Sequence, residues 1–172
     1  MDRGIMRIIV GDLWEQYGEY IWRVIPTNLS VKNNGYAVMG RGVAKQAIIK
    51  FPNLPQIHGK SLREGKREVV AYDDMGLIAF PVKNEWHEKS NLEFIEKSTT
   101  ELTQLGLVVN TVYLPLVGCG FGELEPLSVL TMLAKMLDDK YTLVLRDENA
   151  TERWKSTLMP GARVDRTVKY AN

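Results

Sequence analysis

Three glycines at alternate positions, Gly118, Gly120 and Gly122, follow the apolar run Leu114 to Val117 and precede a helix-like stretch from Leu124 to Leu137. A backbone without Cβ atoms can approach a bound group closely and turn successive amides toward it, so the chemistry such a loop suits is the holding of a phosphate. On this reading the loop amides and the positive end of the following helix are aimed at one anion. A second loop, Met39-Gly40-Arg41-Gly42-Val43-Ala44-Lys45, opens the helix-like run Val43 to Phe51, which gives the expected site two anion-binding sides. Neither loop has the ending of a P-loop, and neither reads Gly-x-Gly-x-x-Gly directly between a strand and a helix. An ordinary kinase or dinucleotide enzyme is therefore disfavoured.

The elements that must carry these loops are legible from hydrophobic spacing. Ile5 to Val10, Trp22 to Pro26, Thr111 to Val117 and Tyr141 to Leu145 read as buried strands, and Glu68 to Tyr72 with Leu77 to Val82 reads as a hairpin closed by Asp73-Asp74-Met75-Gly76. The Val43 to Phe51 helix is stopped by Pro52, and Pro55 to Arg63 is either a helix or an irregular loop. A further helix runs from Ser90 to about Leu105, with Ser90 as N-cap and Glu93 closing a capping box, and another from about Glu125 to Leu137. Thr151 to Leu158 reads as a short helical stretch, and Arg163 to Lys169 as a last strand or a frayed end. Strands alternating with helices predict a layered α/β fold, in which ligands settle outside the carboxyl ends of the strands, where both glycine loops fall.

The chain has 172 residues, 45% hydrophobic and 25% charged, which fits a single domain over residues 1–172. The formal charge of +1 supplies no overall field for a polyanion, though it leaves room for a local patch that contacts DNA or RNA. Cys119 is the only cysteine and His58 and His87 the only histidines, so neither an internal disulfide nor a metal centre is expected. No apolar run approaches the ~20 residues of a membrane span, and a cytoplasmic protein without membrane contact is the expectation.

Four pieces in order, Gly11-Asp12-Leu13, Pro26-Thr27-Asn28, Met39 to Ala44 and Gly118 to Gly122, resemble the macrodomain family, which binds ADP-ribose. A more discriminating piece is Phe80-Pro81-Val82-Lys83-Asn84-Glu85-Trp86-His87 with Ser90-Asn91-Leu92-Glu93-Phe94-Ile95-Glu96 behind it. It is similar to the subgroup holding the antitoxin that strips ADP-ribose from DNA bases and the related glutamate-ADP-ribose hydrolases. The resemblance implies a three-layer α/β/α fold with a central mixed, mostly parallel sheet, and no cofactor. It implies that Asp12, with Leu13, meets the adenine, that Gly40, Arg41, Gly42 and Val43 and the loop Gly118, Cys119, Gly120, Phe121 and Gly122 hold the diphosphate, and that Lys83 and Asn28 are catalytic, Asn28 by bonding the distal ribose hydroxyls or orienting a water. Two departures stand out. The connection Leu29 to Met39, with Lys32, Asn33 and Asn34, is longer than the family's, and Gly122 stands where the glutamate-type hydrolases have an aspartate.

What these residues would have to do is hold a diphosphate, expose C1″ of the distal ribose, and stabilise charge or move a proton there. Lys83 could attack C1″ as an amine, act as acid or base, or pair with an anion; attack requires a neutral amine and so a pKa below about 10.4. Other readings remain for several residues. Asp12 could cap the segment after it, Asn28 could end its strand, Phe121 could pack on a ribose or fill core, Cys119 reads as structural, and Arg41 could be a solvated loop residue. Trp86 and His87 could meet the group bearing ADP-ribose, stack on a base, or pack on the Ser90 helix. The leading expectation is an ADP-ribosyl glycohydrolase acting on DNA or protein; the others are an ADP-ribose 1″-phosphate phosphatase and a binder without turnover.

Overall fold

The computed structural model describes residues 4–108, 111–120 and 122–146, and the backbone of Arg163–Arg166. Seven strands form one sheet: β1 (Arg7–Val10), β2 (Ile21–Thr27), β3 (Val70–Tyr72), β4 (Leu77–Pro81), β5 (Thr111–Leu114), β6 (Tyr141–Leu145) and β7 (Arg163–Arg166). Their order is β3-β4-β2-β5-β6-β1-β7, and every pairing is parallel except the β3–β4 hairpin, where Val70 faces Ala79. Gly76 closes that hairpin at φ 62, a conformation glycine adopts without the Cβ penalty.

Among the described residues four helices cover the sheet: α1 (Gly42–Lys50), α2 (Leu54–Arg63), α3 (Leu92–Thr103) and α4 (Pro126–Met136). Side-chain alternation along the strands divides the core between two faces. Val24, Ile78, Phe80, Val112 and Leu114 join Ile95 and Leu102 of α3 and Leu130 and Leu133 of α4, whereas Ile25 and Leu77 join Ala44 and Ala47 of α1 and Leu54 of α2. Strands buried on both faces read as unbroken apolar runs, which is why they were visible in the sequence. The result is the expected α/β/α sandwich. No helix among the described residues is long and apolar enough to cross a membrane.

Several boundaries differ from expectation, each for a local reason. β5 stops at Leu114 rather than Val117, because Pro115 has no N–H to continue the ladder. Pro55 to Arg63 belongs to a helix, α2, with Pro55 in its first turn, where a missing amide costs nothing. The N-cap of α3 is Asn91, whose Oδ1 accepts from the amides of Glu93 and Phe94 (2.8 and 3.4 Å). Ser90 is instead drawn inward, its amide donating to the Gly122 carbonyl at 3.0 Å, so Glu93 falls one position early for a capping box. The Thr151 to Leu158 stretch lies outside the described residues, and the basic tail contributes strand β7.

His58 of α2, 2% exposed, sets a pH limit on this fold. Its Nδ1 lies 2.6 Å from the Tyr72 hydroxyl, which donates to Ser61 Oγ at 3.1 Å, while Nε2 is buried without a hydrogen-bond partner. Burial pushes the imidazole down from its ordinary 6.5 to about 4. The unfolded chain therefore takes up this proton between about pH 6.5 and 4 while the folded one does not, so stability falls as pH drops through that window. At ~1.4 kcal/mol per unit, His58 alone should cost about 3 kcal/mol by pH 4. Urea unfolding at pH 7 and pH 4.5 should show this fall, and His58→Gln should flatten it; an equal fall in the variant would assign the pH dependence elsewhere.

Candidate functional site

A cavity of about 650 Å³ opens outside the carboxyl ends of the adjacent parallel strands β4, β2 and β5. Each strand delivers part of its wall: Pro26, Thr27 and Asn28 leave β2, Val82 and Lys83 leave β4, and Pro115 and Leu116 leave β5. Both glycine loops line it, through Gly40–Val43 on one side and Gly118, Gly120 and Gly122 on the other. Among the described residues three cations, Lys32, Arg41 and Lys83, stand in the lining, and no carboxylate does.

The two loops offer amides to this space in different ways. At the first, α1 begins after Arg41 with no side chain capping its amides, so the first-turn N–H groups and the helix dipole face the cavity. The expectation that α4 does the same on the other side is overturned. Its N-cap is Glu125, whose carboxylate accepts from the amides of Leu127 and Ser128 (3.0 and 2.8 Å) and from Ser128 Oγ at 2.8 Å. The Ser128 hydroxyl and then these amides hold that carboxyl below its ordinary range. What the second loop offers the cavity is therefore its own backbone. Among the described residues nothing accepts from the amides of Gly118, Cys119 and Gly120.

Glycine is demanded in this loop for two different reasons. A Cβ on Gly122 would lie 2.1 Å from Ser90 Oγ and 2.5 Å from the Gly118 carbonyl oxygen, so close packing excludes any side chain there, an aspartate included. A Cβ on Gly120 or Gly40 would meet nothing within 4 Å. At those two positions protein packing imposes nothing, and what glycine leaves open is the cavity itself.

Lys83 leaves β4 half-buried at the cavity edge. Burial lowers its pKa from the ordinary 10.5, and the Arg41 charge lowers it further, against the opposing effects of Glu123 and Glu88. Asn28, by contrast, is already engaged: its Nδ2 donates to the Val38 carbonyl at 3.0 Å and its Oδ1 accepts from the Ser30 amide at 2.9 Å. It follows β2, pins the long connection and lines the cavity, with one N–H and one lone pair left beyond these two bonds.

Asp12 and Leu13 follow β1 at the same edge of the sheet but outside the cavity lining. Asp12 Oδ1 accepts from the Trp14 amide at 2.8 Å, capping a short turn, while Oδ2 lies 3.7 Å from the Arg146 guanidinium. Leu13 is buried against Ile9 and Val144. Cys119 turns its thiol toward the main core; burial, with Glu125 adding, pushes it up to about 12, which leaves it no thiolate at neutral pH. Phe121 lies outside the described residues.

Thr27, Ser90 and Lys32 line the cavity without having been singled out from the sequence as binding groups, and Trp86, read there as meeting the acceptor, a base or the Ser90 helix, lines it too. Thr27 Oγ1 and Ser90 Oγ are buried hydroxyls without a hydrogen-bond partner, which is costly unless something else supplies one. Lys32 and Trp86 enter because the long connection folds back on the segment after Lys83. The Leu29 amide donates to the Asn84 carbonyl (2.8 Å), the Trp86 amide to Ser30 Oγ (2.9 Å), and Ser30 Oγ to Glu85 Oε2 (2.8 Å). Adjacent capping-type residues, Ser90 and Asn91, were the available signal that one of them is used elsewhere. Among the described residues no group of three His, Cys, Asp or Glu side chains could hold a metal ion.

A mostly parallel α/β/α sandwich with two glycine loops facing one crevice at its strand ends has the fold of a macrodomain. The solved structures it resembles include macrodomains of DarG. The chain is similar to the macrodomain of Thermus aquaticus DarG (25% identity, TM-score 0.67, 84% of this chain and 99% of that one) and to that of Mycobacterium tuberculosis DarG (22%, 0.65, 83% and 99%). It shares its fold with Thermosipho africanus DarTG in complex with ADP-ribose (16%, 0.65, 86% and 46%). In sequence it is 28% identical over 131 residues to a DNA ADP-ribosyl glycohydrolase of Thermus aquaticus, covering 70% of this chain. The chain spans about a third (34%) of the length of that curated relative. No family model matches the chain.

Proposed function

We propose that this macrodomain binds ADP-ribose and removes it from a modified macromolecule, a DNA base in the first instance, with Lys83 as the catalytic residue. The observation that carries the reading is the placing of two glycine loops and three cations around one cavity at the strand ends. A diphosphate fits between such loops, each charge-assisted hydrogen bond contributing about 1.5–3 kcal/mol. The Gly40–Val43 and Gly118–Gly122 loops then hold the phosphates, Asp12 and Leu13 lie toward the adenine, and Asn28 and Lys83 toward the distal ribose.

With the diphosphate anchored, binding energy is available to hold C1″ in reach of Lys83. The lowered pKa of Lys83 favours the neutral amine that two chemistries need. In one, the amine forms a bond to C1″ as the bond from C1″ to the acceptor breaks. The acceptor leaves with the electron pair and takes up a proton, the amine gives one up, and water later displaces the lysine. In the other, the amine takes a proton from a water that attacks C1″. Both return free ADP-ribose and the unmodified acceptor. A DNA acceptor is supported by the name of the Thermus aquaticus relative.

Calorimetric titration with ADP-ribose, beside incubation with ADP-ribose 1″-phosphate, tests the reading. Saturable one-to-one binding with no phosphate release is expected. Rapid phosphate release would instead favour a phosphatase, and absence of binding would remove the macrodomain function from this cavity.

A further inference from the structure

We infer that Trp86 and Lys32 form a subsite for an unpaired nucleic-acid base and its flanking phosphate, at the end of the cavity where the ADP-ribosylated acceptor must sit. The inference rests on the proposed glycohydrolase reading and adds to it a means of choosing the acceptor. Trp86 lines the cavity three residues after Lys83 yet remains 52% exposed, so a large aromatic surface stands beside the proposed reaction centre with room for a partner. Its position is fixed from two sides: the backbone is tied through Ser30 to the long connection, and the ring meets His87 edge to face at 5.5 Å. An indole held in this way at a cavity mouth is a stacking platform.

Lys32 lines the same cavity, on the connection that the same clip ties down. It lies two residues beyond Ser30, its amide donates to the Tyr36 carbonyl at 2.8 Å to close a turn, and it lines the cavity with Trp86. An aromatic face beside a cation is the pairing that single strands use, because every base has a π-face and every link a phosphate. A modified glutamate side chain offers neither. A base inside a duplex cannot reach into a cavity between strand ends, so the strand must be single or the nucleotide turned out of its stack.

The test uses Lys83→Ala protein, in which turnover is removed, and compares binding of free ADP-ribose with that of an ADP-ribosylated single-stranded DNA oligonucleotide. The oligonucleotide should bind more tightly. Trp86→Ala should erase roughly five- to hundredfold of that advantage, the worth of one stacked base, while free ADP-ribose binding stays within about threefold. Trp86→Phe should keep most of the advantage, which separates stacking from a folding defect, and Lys32→Ala should flatten its salt dependence. Equal affinity for the two ligands in the parent would overturn the subsite, as would an equal loss for both in Trp86→Ala, or the same Trp86 dependence for an ADP-ribosylated peptide. Failure of the parent to bind free ADP-ribose is a separate result, which takes down the glycohydrolase reading and the subsite with it.

Discussion

Lys83→Ala is expected to lower the rate of ADP-ribose release by roughly 10³-fold, the range for loss of a nucleophile or general base, while free ADP-ribose binds within about threefold of wild type. The separation follows from the proposed division of labour in the cavity, with the loop amides on the diphosphate and the lysine at the cavity edge. The pH profile gives a second reading of the same residue. A reaction that needs the neutral amine speeds up as pH rises toward the lysine pKa, and burial with Arg41 places that pKa below the ordinary 10.5. Arg41→Ala removes one of the two lowering influences, so its rate profile should move to higher pH. A Lys83→Ala enzyme with undiminished turnover, or a profile that Arg41→Ala shifts downward, contradicts the assignment.

The second large effect is a contrast between two glycines two residues apart. Gly120→Val should fold as stably as wild type and lose at least about thirtyfold in ADP-ribose affinity, equivalent to two lost neutral hydrogen bonds or one obstructed phosphate. A Cβ there meets nothing within 4 Å among the described residues beyond its chain neighbours, at a position that lines the cavity proposed to hold the ligand. Gly122→Ala should do the reverse in kind. Its Cβ collides with Ser90 Oγ and the Gly118 carbonyl, and overpacking of this sort costs about 1–3 kcal/mol, or roughly 3–10 °C in Tm for a domain of this size. Thermal melts and titrations of both variants check the pair. If Gly120→Val bound ADP-ribose normally, the second loop would not be a phosphate site.

The sheet was largely legible because its strands are buried on both faces and therefore read as unbroken apolar runs, and because Asp73 to Gly76 has the chemistry of a hairpin turn. The two loops were legible from their glycines. What the sequence concealed was the outcome of competition between equivalent groups. Ser90 and Asn91 can each cap a helix, and only the contact of the Ser90 amide with Gly122, across 32 positions, decides which one does. Glu125 reads as an ordinary helix residue until its carboxylate is seen to occupy the amides expected to hold an anion. The amide of Asn28 is spent largely on Val38 and Ser30, and Trp86 reaches the cavity rim through Ser30; both depend on how the long connection folds back. Lys83 stood out by its family resemblance alone, since a lysine after a strand carries no chemical signature until its burial and the neighbouring Arg41 are known.

The most direct test is to mix stoichiometric protein with an ADP-ribosylated single-stranded oligonucleotide and follow the mass of the strand. Wild type should regenerate the unmodified oligonucleotide with release of intact ADP-ribose, and Lys83→Ala should leave the modified strand unchanged. A modified strand that survives stoichiometric wild-type protein able to bind ADP-ribose would contradict the account, and leave this macrodomain a binder.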